Sequence, residues 1–239
     1  MTEDTQKSSL LHKIARGIGL GHYGWLLIAL VCTVFLAPLF QDFRLGIRIA
    51  DVISAFVMVA GVFAAITKRV HIIMLSGIAL LAIVARFIDP FVDTTLTAVV
   101  AEAMTFWFLL SVFAIILKDI FRTSHVSTDT LVGSVCGYLI LSTIFASVYT
   151  FLVILSPDSF MVNAGLGDSQ ALLGQSPTHY GLTNYFSLVT LTTVGFGDIV
   201  PQNTYARTVV SAEAVSGQIY LTVIVARLVG LHLSRSLKN

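Results

Sequence analysis

The stretch that decides the fold is Thr190-Leu191-Thr192-Thr193-Val194-Gly195-Phe196-Gly197-Asp198. It places two glycines at alternate positions directly after a run of threonines, in a chain built mostly of apolar segments. Irregular backbone is costly inside a membrane, because each unpaired carbonyl in hydrocarbon costs several kcal/mol. It is tolerated where protein covers it or where it lines a water-filled path. We therefore expect the carbonyls of this stretch to face an ion.

The composition indicates an integral membrane protein. Of the 239 residues, 56% are hydrophobic and only 11% are charged, and the mean hydropathy is +0.89. A soluble domain has about 25% charged residues. The 14 basic and 13 acidic residues nearly cancel, so no basic surplus suggests nucleic acid as a partner. Cys32 and Cys136 lie in apolar runs, and we interpret them as small buried hydrophobic residues.

Six apolar runs have the length of about 20 residues that a helix needs to cross a bilayer. They cover residues 22–40, 49–67, 71–88, 96–117, 131–155 and 205–233. A polar, glycine-rich segment follows the fifth run and leads into a half-length apolar run, Leu182 to Leu191. Such a run, ended by irregular backbone, predicts a re-entrant helix. The predicted fold is an all-α membrane protein with six transmembrane helices, a re-entrant pore helix and a selectivity filter.

The chain is predicted to have three parts. Residues 1–21 form a cytoplasmic amphipathic segment, for which a disordered tail is the alternative. Residues 22–125 form a four-helix transmembrane domain, and residues 126–239 form the pore domain. With both termini in the cytoplasm, most basic residues near the span ends fall on the cytoplasmic side. We therefore expect a multi-pass protein of the cell membrane, with the mouth of the filter outside.

The residues after the short helix suit a dehydrated cation. A ring of backbone carbonyls can replace the water of a monovalent cation without introducing full charges. Successive carbonyls point the same way only if alternate residues leave the ordinary backbone basins, which glycine does without steric cost. Gly195 and Gly197 meet this need, and Thr193 adds a hydroxyl at the inner end. We expect the side chains of Val194 and Phe196 to pack behind the filter.

Thr193-Val194-Gly195-Phe196-Gly197, followed by Asp198, resembles the selectivity filter of the potassium channel superfamily in its phenylalanine-containing form. The resemblance covers residues 131–233, in the order outer helix, pore helix, filter and inner helix. It implies that the carbonyls of residues 193–196 bind K⁺, with no other cofactor. It also implies a homotetramer in membrane lipid, since each chain carries one filter. The alternative is a glycine-rich outer loop that merely turns the chain between two helices.

Four residues are predicted to support the filter. The resemblance implies that Asp198 hydrogen-bonds to an aromatic donor on the pore helix, here Tyr185, while a solvated Asp198 is the alternative. Thr192 ends the short helix. Glu213 lies inside the last span, where a carboxylate needs a partner. We expect it to hydrogen-bond to the threonines of the pore helix, and the alternative is that its protonation alters conduction.

The last span contains the predicted gate and cavity. The resemblance implies that the inner helix bends at Gly217 to open, and close helix packing is the alternative role for this glycine. If the helix is straight, Gln218, Leu221 and Val225 face the cavity. Arg227 is expected off that face, with its side chain snorkelling towards the cytoplasmic surface.

The first four spans lack the charges of a voltage sensor. Such a sensor needs several Arg or Lys at every third position, and residues 96–117 contain neither. We therefore predict a channel that is not strongly voltage-gated. Asp51, Arg86 and Glu102 lie at membrane depth, and we expect Arg86 to pair with Glu102 or Asp51. His179 could sense external pH, or it is simply a solvated loop histidine.

The predicted protein is a passive, homotetrameric potassium channel of the six-transmembrane, non-voltage-gated type with one pore loop per chain. A poorly selective cation channel and a non-conducting regulatory membrane subunit are the alternatives. An enzyme is not expected, because the sequence shows no constellation of nucleophile, base and metal ligands. Neither the gating stimulus nor the conductance follows from the sequence.

Overall fold

The structure, a computed structural model, describes residues 21, 23–40, 44–64, 69–92, 94–123, 126–162 and 180–236. Residues 1–20 of the predicted N-terminal segment and His179 lie outside these residues. The helices are α1 (Gly24–Val31), α2 (Arg44–Ala64), α3 (Arg69–Val92), α4 (Thr95–Arg122), α5 (Thr128–Leu155), α6 (Tyr180–Leu191) and α7 (Thr204–Ser236). Two strands, β1 (Phe160–Val162) and β2 (Ile199–Pro201), flank α6 in the chain.

Three helices of the described chain are long and apolar enough to cross a membrane. They are Thr95–Arg122, Thr128–Leu155 and Thr204–Leu231. Three shorter apolar helical stretches, Gly24–Leu39, Val52–Ala64 and Ile73–Ile88, fall within the first three predicted spans. The protein is therefore a mostly helical membrane protein, and the arrangement with six spans stays a prediction.

The first predicted span changes pitch along its length. Helix α1 continues as a π-helix over Cys32–Leu36 and then as a 3₁₀ turn over Ala37–Phe40. Pro38 lies in that turn, and proline cannot donate the hydrogen bond that an α-helix needs at this point. The sequence predicted the apolar run but not this change.

The structure contains a small sheet that the all-α prediction omitted. Strand β1 pairs with β2 in antiparallel orientation, with Phe160 opposite Pro201 and Val162 opposite Ile199. Strands of three residues are too short to show a period of two in the sequence. The strand pair connects the segment that follows α5 with the segment that precedes α7. In the sequence, α6 lies between these two segments.

Two apolar clusters hold the helices together. The larger one is formed by residues of all five helices from α1 through α5, together with Leu191 of α6 and Tyr220 of α7. The smaller one lies under the sheet, where the rings of Tyr149, Phe160 and Phe186 contact one another at centroid distances of 5.1 to 5.3 Å. Helix α6 therefore packs against both clusters, one near each of its ends.

An ion pair links two of the first four helices. Arg86 Nη2 donates to Glu102 Oε1 at 2.7 Å, and Arg86 Nη1 donates to Ser54 Oγ at 3.2 Å. This confirms the predicted pairing of Arg86 with Glu102. The side chain of Asp51, the alternative partner, lies outside the described part of the chain.

Candidate functional site

The backbone of residues 193–197, which we call the candidate filter, alternates in handedness. Thr193, Gly195 and Gly197 have φ angles of 60°, 58° and 76°, all in the left-handed region. The two glycines adopt this region without steric cost, as the sequence predicted. The sequence did not predict it for Thr193, because a β-branched residue rarely has a positive φ. The left-handed residues therefore recur at every second position. The series begins at Thr193, two residues before the first predicted position.

The candidate filter begins directly at the end of α6. Val194 N donates to Val189 O at 3.0 Å, and Thr193 N donates to Thr190 O at 2.9 Å. Thr192 Oγ1 donates to Leu188 O at 2.6 Å. These bonds satisfy carbonyls in the last turn of the helix, which have no partner within a regular helix. The position of α6 consequently sets the position of the candidate filter.

The side chains of Val194 and Phe196 are mostly uncovered within one chain. Their exposed fractions are 54% and 69%. The ring of Phe196 lies parallel to that of Tyr185, with centroids 6.4 Å apart and an interplanar angle of 5°. The packing that the sequence predicted behind the filter is therefore not completed by a single chain.

Asp198 is held at the end of the candidate filter by two hydrogen bonds. Tyr185 Oη donates to Asp198 Oδ2 at 2.6 Å, and Ile199 N donates to Asp198 Oδ1 at 3.0 Å. The sequence left two alternatives for Asp198, a hydrogen bond from Tyr185 and a solvated carboxylate. The structure contains the hydrogen bond. The hydrogen bond to Asp198, with partial burial and the charge of this carboxylate, raises the pKa of Tyr185 to about 12. The phenol therefore remains a donor at neutral pH.

Glu213 of α7 is completely buried behind α6. Its Oε1 accepts a hydrogen bond from Ser187 Oγ on α6, and its Oε2 accepts one from Tyr149 Oη on α5. The predicted threonine partners are wrong, and the donors are a serine and a tyrosine. The hydroxyl of Thr192 is already bonded to the backbone of its own helix. Glu213 therefore connects three helices directly behind the candidate filter.

Ser142 of α5 completes this arrangement. Ser187 Oγ lies 2.8 Å from Ser142 O and 3.1 Å from Ser142 Oγ. We call Ser142, Tyr149, Ser187 and Glu213 the buried polar cluster. Because all four side chains are at least 98% buried, their hydrogen bonds are formed away from solvent and depend on the exact placement of α6.

Gly217 lets α7 approach the end of α6. A Cβ atom at this position would lie 2.9 Å from Leu191 O and 2.8 Å from Leu191 Cδ1, both closer than real contacts allow. Helix α7 runs unbroken from Thr204 to Ser236. The structure therefore supports the close-packing role of Gly217, and it does not show the bend that the resemblance implied.

The predicted cavity face of α7 is open in the single chain. Gln218 is exposed, and Leu221 and Val225 are 39% and 55% exposed. On another side of the same helix, Tyr220 is buried against α5. The guanidinium of Arg227 donates to backbone carbonyls at the end of α4. That this side chain snorkels towards the cytoplasmic surface stays a prediction.

The sequence analysis also missed two tyrosine hydrogen bonds, one at the end of α6 and one between α7 and α5. Tyr138 Oη donates to Leu191 O, the last carbonyl of α6, at 3.1 Å. Tyr220 Oη donates to Ser134 O at 2.7 Å, and the two rings lie 5.8 Å apart. A tyrosine in an apolar helix usually has a hydrogen-bond partner for its hydroxyl. That rule could have identified Tyr138, Tyr149 and Tyr220 from the sequence.

The candidate filter offers a cation only oxygen atoms, namely its carbonyls and the Thr193 hydroxyl. Among the described residues, His, Cys, Asp and Glu form no group of three or more that could hold a metal ion. Oxygen ligands without full charges suit a cation that must leave again, because they bind it without trapping it.

Comparison with known families covers the same region. Residues 131–231 match the family model described as "Ion channel". This match includes most of α5, all of α6, the candidate filter, and α7 as far as Leu231. It supports an ion channel function for this chain. No curated protein matches the chain.

Proposed function

We propose that this chain forms a passive, potassium-selective channel of the cell membrane, with six transmembrane helices and both termini in the cytoplasm. The observation that carries the proposal is the alternating left-handed backbone at Thr193, Gly195 and Gly197. It begins at the end of a half-length helix, within a region that matches the ion channel family.

The selective step is the exchange of water for backbone oxygens. A K⁺ ion that enters the filter loses its hydration shell, and the carbonyls of Thr193 to Phe196 replace it. Alternation of handedness turns successive peptide planes so that their carbonyls project towards the same path. The protein supplies no energy to this step, and the ion follows its electrochemical gradient.

A homotetramer completes the ring of carbonyls, because each chain contributes one candidate filter. Three features support this assembly. The side chains of Val194 and Phe196 are mostly uncovered, and the face of α7 that carries Leu221 and Val225 is partly exposed. A Cβ atom built at Gly195 would meet no other atom of the chain within 4 Å. Neighbouring copies would cover the side chains, and the open space beside the glycine is the ion path.

The supports behind the filter hold α6 in place during conduction. The bond from Tyr185 to Asp198 fixes the outer end of the candidate filter, and the buried polar cluster fixes the helix behind it. We assign residues 126–239 to the pore domain and residues 22–125 to a four-helix transmembrane domain. Since α4 has no Arg or Lys before Lys118, the channel is not strongly voltage-gated.

A poorly selective cation channel is the second candidate. Val189, on the pore helix, occupies the position at which some similar channels have an acid. The supporting carboxylate arrives instead from α7, as Glu213. Because the supporting carboxylate lies on α7 and not on the pore helix, selectivity has to be measured.

The test is the reversal potential of the purified protein in planar bilayers, with KCl on one side and NaCl on the other. We expect reversal near the potassium equilibrium potential. Reversal near zero would indicate the poorly selective channel. Absence of current over many preparations would favour a non-conducting regulatory subunit.

A glycine substitution tests the carbonyl mechanism directly. Gly195→Ala places a Cβ on a residue with a φ of 58°, which costs roughly 1 to 2 kcal/mol in each subunit. We expect selective current to be lost. The matched control is Gly230→Ala, since Gly230 lies in α7 and has open space around it. Retained selectivity in Gly195→Ala would refute the mechanism.

A further inference from the structure

A buried serine joins the end of α5 to the chain that follows the candidate filter. Ser159 is completely buried, and its Oγ donates to Ser156 O, next to the end of α5, at 2.7 Å. The carbonyl oxygen of Ser159 accepts a hydrogen bond from Gln202 N at 2.8 Å. Its Oγ also accepts one from Asn203 Nδ2 at 3.0 Å. We call Ser159, Gln202 and Asn203 the outer clasp.

Asn203 uses both polar atoms of its side-chain amide. Its Oδ1 accepts a hydrogen bond from Ala206 N at 2.8 Å, in the first turn of α7. This bond satisfies one of the amide donors that the start of a helix leaves unpaired. Its Nδ2 meanwhile donates to Ser159. A serine at this position could still cap the helix, but it has one polar atom in place of the two that Asn203 uses. The outer clasp therefore ties the start of α7 to the end of α5.

The strand pair extends from the outer clasp to the candidate filter. Strand β2 begins at Ile199, directly after Asp198, and Ile199 lies opposite Val162 of β1. The side chains of Ile199 and Val162 are both buried. The three residues of β2 span roughly 10 Å of extended chain. A displacement of the outer clasp is therefore passed along a short, paired strand to Asp198.

The end of the candidate filter is consequently held from two sides. Tyr185 of α6 donates to Asp198, and the outer clasp holds the strand that follows Asp198 against the end of α5. The two attachments differ in burial, because Tyr185 is 36% exposed and Ser159 is 0% exposed. A hydrogen bond that is shielded from water is stronger, and its loss costs more. The outer clasp is therefore the firmer of the two attachments.

We propose that Ser159 and Asn203 are positioning residues for K⁺ selection, because through β2 they hold the outer carbonyls of the candidate filter in the arrangement that replaces the hydration shell of K⁺. This inference rests on the proposed channel function. Neither residue touches the ion. When the outer clasp opens, Asp198 is held mainly by Tyr185, and the carbonyls beside it occupy a wider range of positions. A filter whose carbonyl positions vary discriminates less between K⁺ and Na⁺, so selectivity falls while conduction continues.

The main experiment measures the permeability ratio of K⁺ to Na⁺ from reversal potentials of the full-length variants Ser159→Ala and Asn203→Ser in planar bilayers. Ser159→Ala removes the hydroxyl and keeps the backbone bond to Gln202. Asn203→Ser keeps a capping oxygen for α7 and loses the amide donor. We expect the ratio to fall roughly 2- to 10-fold in each variant, the factor that corresponds to one net hydrogen bond. Lower thermal stability with a wild-type ratio in either variant would assign the outer clasp a structural role only and overturn the proposal.

The matched control is Ser134→Ala. Ser134 is a buried serine of α5, and its Oγ donates to a carbonyl of the same helix, that of Thr130, at 2.8 Å. The substitution removes the same atom as Ser159→Ala but leaves the chain beyond the candidate filter untouched. Its permeability ratio should equal that of the wild type. An equal fall in both alanine variants would mean that any loosening of the pore domain lowers selectivity, and it would overturn the proposal.

A double-mutant cycle tests whether the two attachments act on the same segment. In Tyr185→Phe the buried outer clasp still holds the strand after Asp198, so the ratio should change little. In Tyr185→Phe/Ser159→Ala both attachments are weakened, and the ratio should fall by more than the product of the single effects. Single effects that simply multiply would mean that the outer clasp does not act on Asp198, and they would overturn the proposal. If Ser159→Ala does not assemble, Asn203→Ser takes its place.

Hydrogen exchange separates failure of this proposal from failure of the proposed function. Ser159→Ala should accelerate amide exchange at Gln202 and also at residues 195–198, whether or not the protein conducts. Acceleration that reaches residues 195–198 in a protein without current would retain the attachment and refute the channel. Potassium-selective current with acceleration confined to Gln202 would refute the positioning role and retain the channel.

Discussion

The two halves of the molecule bury their acids in different ways. In the first four helices, Glu102 is paired with the guanidinium of Arg86 at 2.7 Å. Its second carboxylate oxygen has no hydrogen-bond partner among the described residues. In the region of the candidate site, Glu213 is more deeply buried and accepts hydrogen bonds at both oxygens, from the neutral hydroxyls of Ser187 and Tyr149.

The difference reflects what each half must do. An ion pair neutralises a buried charge, but here it leaves one oxygen of Glu102 without a hydrogen bond among the described residues. Two hydroxyl donors fix both oxygens of Glu213 and introduce no positive charge. A guanidinium beside a cation path would repel the cation, and the repulsion is strong where the effective dielectric constant is low. Neutral donors are therefore the suitable partners behind the candidate filter.

The largest expected effect comes from breaking the ion pair. Arg86→Met leaves Glu102 as an unpaired buried acid, which costs about 3 to 5 kcal/mol of unfolding free energy. The double variant Arg86→Met/Glu102→Leu should recover most of that loss, because a well-packed apolar pair often replaces a buried ion pair without cost. Denaturant titration in mixed micelles measures both variants. A double variant as unstable as the single one would contradict the interpretation.

The next effect concerns a donor of the buried polar cluster. Tyr149→Phe leaves Glu213 Oε2 without its donor and should cost about 1 to 3 kcal/mol. It should also reduce the selectivity for K⁺ over Na⁺ in bilayers, because the Glu213 carboxylate that binds Ser187 of α6 is then held at one oxygen only. Tyr220→Phe is the control, since the Tyr220 hydroxyl donates to a backbone carbonyl, that of Ser134. Equal changes of selectivity in both variants would show that the buried polar cluster has no special role in selectivity.

Glycines extend the comparison between the two halves. Gly217→Ala in α7 forces a Cβ against Leu191 and should destabilise the protein by about 1 to 3 kcal/mol. Gly77→Ala in α3 meets no atom within 4 Å and should stabilise it by about 0.5 to 1 kcal/mol, the gain in helix propensity. Thermal unfolding in detergent decides between these signs. Destabilisation by both variants would show that α3 is packed more closely than this structure indicates.

The smallest effect is expected for the partly exposed hydrogen bond between Tyr185 and Asp198. Tyr185→Phe removes the bond to Asp198, and because Tyr185 is about one-third exposed, the loss should be below about 1 kcal/mol. Its pH dependence has a definite sign. Because the folded protein raises the pKa of Tyr185 from 10.0 to about 12, the contribution is complete below pH 10 and disappears as the pH approaches 12. Unfolding of wild type and variant between pH 7 and 12 tests this, and a difference that grows above pH 10 would contradict it.

Much of the candidate site could be predicted from short stretches of sequence. The left-handed backbone at Gly195 and Gly197 follows from residue type, because glycine alone adopts it at no steric cost. The half-length helix α6 follows from the length of its apolar run. The bond between Tyr185 and Asp198 was one of two open alternatives. The pairing of Arg86 was likewise left open between Glu102 and Asp51, because few other charges lie at that depth.

What the sequence by itself determined is therefore local: the apolar runs, the short helix and the conformation that its glycines permit. The tertiary structure alone decided several contacts between distant parts of the chain. Glu213 bonds to Ser187 and Tyr149, and Arg227 bonds to backbone carbonyls where α4 ends. Thr193 adopts a positive φ at the end of α6. These contacts depend on how far each helix is rotated about its axis. In a mostly apolar chain, the hydrophobic pattern leaves that rotation undetermined, and packing between distant helices sets it.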